Sequence, residues 1–210
     1  MSIQGFTLVE LLVVVAIVAI LAALLIPALN LTGANNLDSG GNMVVGLANQ
    51  ARQNSIANGT MTALVMVNNG SGLASNYQGR LFILLQLVPG QGSASYTWEP
   101  ISKWYTLPSG VMADTSTADT FAQVESEPAS LPAPLPNLSY EGTSVPAANC
   151  AYQVFMPDGQ LDIRGEKTLQ APILRLVRSA NGVPLTGPAA SDYYDITFNV
   201  YVGTLAVNRP

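Results

Sequence analysis

The chain reads as an α+β protein: an N-terminal helix, apolar at first and amphipathic later, leads into an antiparallel β-sheet head. Three observations carry this reading. Leu11–Ile26 is an unbroken apolar run. Met43, Val44, Leu47, Ala48, Ala51 and Ser55 recur at the spacing of one helix face. Beyond Gly59 the period changes to short apolar runs parted by Gly, Pro and Asn, as strands and turns require. Composition agrees, because only 10% of residues are charged where about 25% is usual. That favours strands joined by uncharged polar loops over a helical bundle.

Residues 6–29 form the first element. As a helix the segment would reach about 36 Å, against a hydrocarbon thickness of about 30 Å. A secretory signal has a shorter apolar core and a small-residue cleavage site, and neither is present here. A plain anchor accounts for the length but not for Glu10. A carboxylate inside a membrane-spanning helix costs a few kcal/mol or more and calls for a partner.

Gly5-Phe6-Thr7-Leu8-Val9-Glu10, followed by this span, resembles the type IV pilin and pseudopilin signal. The match runs from Gly5 to Leu29 and includes Pro27, where the family often has a helix-bending proline. The resemblance implies that residues 1–5 are a leader removed by a prepilin peptidase. Phe6 becomes the methylated N-terminus, and Glu10 pairs with the N-terminal ammonium of a neighbouring subunit during assembly. It also implies a single-pass inner-membrane protein with its head outside the cytoplasm, held in lipid until an inner-membrane assembly platform builds it into a periplasmic or cell-surface filament. The chain departs from the family in Met1–Gln4, which carries no Lys or Arg; the first basic residue is Arg52. Orientation by the positive-inside rule then rests on the initiator amine, or the true start lies upstream.

Residues 30–58 form a hinge and the second half of the helix. Pro27 lacks an N–H, and Asn30–Asn42 contains Gly33, Gly40 and Gly41, so a break in the helix is expected there. Helical spacing resumes from Asn42, and Asn58-Gly59 supplies a stop. The stretch Ala51–Gly59 resembles the end of the long helix in H-type minor pseudopilins and their fimbrial minor-pilin relatives.

Residues 59–210 form the head. Strands are expected at Met61–Val67, at Arg80–Val88 buried on both faces, and at Tyr96–Leu107 with a bend at Pro100. Pro128, Pro132, Pro134 and Pro136 make Glu125–Pro136 an extended exposed loop. Further strands are expected at Tyr152–Met156, Leu161–Ile163, Ile173–Val177 and Ile196–Val207, with a turn at Pro157-Asp158-Gly159.

Chemistry is sparse. There is no histidine, which removes the commonest general base and metal ligand, and no serine has a partner to activate it. Cys150 is single, so no intramolecular disulfide can form; it reads as a small buried side chain, and its solitude shifts the resemblance toward minor subunits. Asp192 with Asp195, or Asp158 with Asp162, could offer oxygens to calcium, but neither has the spacing of a dedicated loop, and solvated turn carboxylates are the simpler reading. Arg164, Lys167, Arg175 and Arg178 gather into a basic strip that is a candidate DNA contact, although Glu166 and the net charge of −5 oppose it. The expected function is therefore a non-enzymatic filament subunit without a cofactor. The alternatives are a DNA- or surface-binding minor pilin and an anchored domain that never assembles.

Overall fold

The computed structural model describes residues 8–68, 73–90, 96–114, 132–161, 172–185 and 191–210, with side chains described throughout except at 22–34. Among the described residues one α-helix, α1 (Leu8–Asn58), precedes twelve strands. These are β1 (Thr62–Val67), β2 (Leu81–Pro89), β3 (Tyr96–Pro100), β4 (Tyr105–Thr106), β5 (Val111–Ala113), β6 (Leu138–Tyr140), β7 (Thr143–Val145), β8 (Cys150–Phe155), β9 (Ile173–Ala180), β10 (Val183–Pro184), β11 (Tyr193–Phe198) and β12 (Leu205–Asn208). The chain divides into two compact units, Met1–Asn35 and Asn36–Pro210.

α1 is continuous over 51 residues, which corrects the expected break. Within Asn36–Pro210 the reason is packing. A Cβ at Gly40 would stand 3.3 Å from Val111 Cγ1 and 3.4 Å from Pro108 Cδ, and one at Gly41 would fall inside the Tyr194 ring. These glycines are where the helix meets its sheet at closest approach, and burial there outweighs their poor helix propensity, which is about 1 kcal/mol each. The helix is also assigned through Pro27, since one lost hydrogen bond need not end a helix. The stop at Asn58-Gly59 is as expected. Gly59 is left-handed at φ +63, and the Thr60 N–H reaches back to the Ser55 carbonyl at 3.2 Å, the six-to-one bond of a Schellman ending.

The predicted helix stripe faces the core: Val44, Leu47, Ala48, Ala51 and Ser55 are buried, Met43 is partly buried against them, and Leu37 extends the stripe by two turns. The stripe packs on two antiparallel sheets rather than one. The first runs β3-β2-β1-β8, with β4 also on β2; the second runs β10-β9-β11-β12, with β5 also on β9. Strand alternation splits the first sheet between two cores. Leu64, Met66, Phe82 and Leu84 face α1 and meet Leu174, Leu176, Ile196 and Phe198 of the second sheet. Ala63, Val65, Leu81, Ile83 and Leu85 face the other way, under Trp98, Leu138 and Val145. β2 is thus buried on both faces, as its apolar run requires.

The described end of the Pro-rich segment is exposed at Pro132 and Pro134 and forms no strand, as expected, but it is anchored to the outer core at one point. Residues 115–131 lie outside the described residues, but Ala133 is buried and its carbonyl accepts a 2.9 Å bond from Trp98 Nε1–H. The expected strand Ile196–Val207 is a hairpin of β11 and β12 instead. Asn199 Oδ1 accepts the N–H groups of Tyr201 and Val202 at 3.0 and 3.3 Å, and Gly203 follows at φ +62, so the chain reverses within an alternating apolar pattern. Tyr96–Leu107 does bend, into β3 and β4 on the same edge of β2. The strand expected at Leu161–Ile163 is represented by one bridge, Phe155 to Leu161; residues 162–163 lie outside the described residues.

Candidate functional site

Glu10 stands in the first described turn of α1 and is solvent-exposed. Every large apolar side chain from Leu8 to Leu21 is exposed, between 49% and 79%. A helix that is apolar on all sides and buries none of it has the surface of a segment made for lipid or for other helices. No helix among the described residues is long and apolar enough to cross a membrane. Gly5 and Phe6 lie outside the described residues, as does the side chain of Pro27.

The basic strip is not assembled on one face by its described members. Arg164 and Lys167 lie outside the described residues. Arg175 and Arg178 are three apart on regular β9, so they point to opposite faces. Arg175 is engaged by Asp195, directly opposite it on β11, through Nε–Oδ1 at 2.7 Å and Nη2–Oδ2 at 2.8 Å. Its guanidinium also lies 4.2 Å from the Tyr193 ring centroid. The hydrogen bonds to Asp195 raise the pKa of Arg175 further.

The acidic residues have partners of their own. Asp195 is buried in a strand and bonded to Arg175, rather than solvated in a loop as expected. Asp192 accepts from Arg209 at 3.3 Å. Asp158 is the turn former that its sequence context indicates, accepting the Gln160 N–H at 3.0 Å, while Asp162 lies outside the described residues. Among the described residues no three acids, Cys or His gather as a metal site. Two charged side chains have tasks that no local signal in the sequence reveals. Arg209 bonds Asp38 as well as Asp192. Arg52 on α1 donates through Nε–H to the carbonyls of Gly159 at 3.1 Å and Val202 at 3.0 Å.

Residues 1–26 match the prokaryotic N-terminal methylation motif. Two solved structures of the minor pseudopilin EpsH, from the type II secretion system of Vibrio cholerae, are similar to this chain. The first has 12% identity and a TM-score of 0.45, covering 83% of this chain and 98% of its own. The second has 14% identity and a TM-score of 0.44, covering 84% and 97%. The sequence has no significant match among curated proteins.

Cys150 opens β8 and is buried, as expected. Burial pushes its thiol up to about 11 from an ordinary 9.0. The raised value means that the folded state holds the proton where the unfolded state releases it. This contribution is complete below about pH 9 and is lost as pH rises toward 11. Cys150→Ala is therefore expected to lose less stability than the unsubstituted chain between pH 9 and 11, read by urea unfolding at each pH. Equal losses would show that the thiol is not desolvated.

Proposed function

We propose that this chain is a structural subunit, of minor rank, of a type IV pilus or type II secretion pseudopilus. Prepilin peptidase cuts after Gly5, Phe6 is methylated, and the N-terminal helix first rests in the inner membrane with the head outside the cytoplasm. An assembly platform then moves it among other pilin-like subunits, where Glu10 meets the Phe6 ammonium of a neighbour. The observation that carries this reading is the N-terminal methylation motif, joined to a helix whose apolar side chains are exposed from Leu8 to Leu21 around a single carboxylate. Each such side chain gains about 1.5–3 kcal/mol when covered, so a helix of this kind is driven into lipid or into a bundle. Within the apolar bundle a carboxylate and an ammonium are each penalised alone and attract strongly together, which selects the correct stagger between subunits.

Co-expression with a prepilin peptidase tests the reading. Intact-mass measurement is expected to show loss of Met1–Gly5 and gain of one methyl group on Phe6. An uncut chain would indicate an anchored domain that does not enter a filament. The DNA-binding alternative has no support from the described basic residues, since Arg175 is bonded to Asp195 and Arg178 faces the other way.

A further inference from the structure

We propose that the C-terminal Arg209, gripping Asp38 and Asp192 together, is a clasp that fixes the point at which α1 becomes part of the head. Three groups lie within the unit Asn36–Pro210, and each comes from a different part of it: Asp38 from the first turns of the helix in this unit, Asp192 from the residue before β11, and Arg209 from the residue after β12. Nη1 of Arg209 bonds Asp38 Oδ1 and Nη2 bonds Asp192 Oδ1, so a single planar fork ties the helix to both ends of the terminal hairpin. The two carboxylates would repel each other without the cation between them.

Further contacts hold the same turns of the helix. On one side, Asn36 Nδ2 donates to the Ser109 carbonyl at 3.0 Å. On the other, the Tyr194 hydroxyl donates to Asn42 Oδ1 at 3.3 Å. Between them Gly40 and Gly41 let the helix backbone settle against Val111 and the Tyr194 ring. The helix turns from Asn36 to Asn42 are thus held by side chains of the second sheet and its flanking loops, and the division between the compact units falls just before them. Two glycines and two asparagines give these turns low helix propensity of their own, so their helicity depends on the grip. The consequence is a stop. Unwinding that reaches Asn36 from the N-terminal side halts at the clasp, and the head stays folded whatever conformation the preceding residues take. This goes beyond the assembly role above and does not require it.

Hydrogen exchange on the full chain in detergent, read by mass spectrometry, tests the clasp. Arg209→Gln is expected to speed exchange of amides 36–44 by about three- to fivefold, the range that an exposed ion-pair network supports. Exchange in β1 and β2 should not change. Asp192→Asn, which leaves the Asp38 arm in place, should give a smaller rise. In the unsubstituted chain, 0.5 M NaCl should move amides 36–44 toward the Arg209→Gln rate, because screening weakens an exposed pair. Unchanged exchange at 36–44 in Arg209→Gln and in high salt would overturn the proposal. So would an equal rise across β1 and β2, which would make Arg209 a general contributor to stability and not a local stop.

Discussion

Replacing Glu10 by Ala is expected to leave membrane insertion intact and to reduce incorporation into filaments about a hundredfold or more. Both effects follow from the same carboxylate. In lipid, removing a charge from the apolar run Leu8–Leu21 makes insertion easier. In a filament, the proposed pairing leaves the neighbour's Phe6 ammonium buried without its partner. Breaking a buried ion pair by removing one member costs about 3–5 kcal/mol, and about 1.4 kcal/mol is a factor of ten. Shearing cells and immunoblotting the sheared and membrane fractions would measure the two outcomes separately. Glu10→Gln separates charge from size, since the side chain keeps its length and its hydrogen-bonding capacity. It should fail nearly as badly. Normal incorporation of both variants would remove the electrostatic selection from the mechanism while leaving the processing route untouched.

How much of this was legible in the sequence depends on the range of the interaction concerned. The methylation motif and the apolar helix are contiguous, so residues 1–26 carry their meaning locally. The same holds for the stripe Val44–Ser55, the Asn58-Gly59 stop and the doubly buried β2, each of which follows from a period or a turn residue. Gly40 and Gly41 misled because propensity treats a glycine as a weakness of the helix, whereas here each is a point of contact with side chains at Val111 and Tyr194, far along the chain. The β11–β12 hairpin was hidden for a related reason. Ile196, Phe198 and Val200 are all buried, so apolar alternation continues into the turn that Asn199 makes with its side chain. Pairings such as Arg175 with Asp195, or Arg209 with Asp38, require the strand order and register, and nothing near either residue announces them.

Arg175→Ala is expected to destabilise the head by about 2–4 kcal/mol, read as a lower urea midpoint for the full chain in detergent. Asp195 is 7% exposed, and the substitution would leave its carboxylate without the two bonds that Arg175 supplies. The lower end of the range applies because the Arg175 side chain is itself 31% exposed, so water can enter when it is removed. Part of the loss is the guanidinium's packing over Tyr193, worth about 0.5–2 kcal/mol in general. Arg175→Lys should recover some of the charge but not the planar, two-bonded fit. Combining Arg175→Ala with Asp195→Ala should cost clearly less than the sum of the single changes, because the second substitution removes the carboxylate that the first one stranded. The same variants decide between the two roles open to this arginine. A structural cross-strand pair predicts large coupling in the double-mutant cycle and no change in DNA affinity by gel shift. A nucleic-acid contact predicts weakened DNA binding by Arg175→Ala, with stability nearly unchanged. The bidentate geometry with Asp195 favours the first outcome, because binding a phosphate would require Arg175 to abandon a buried carboxylate.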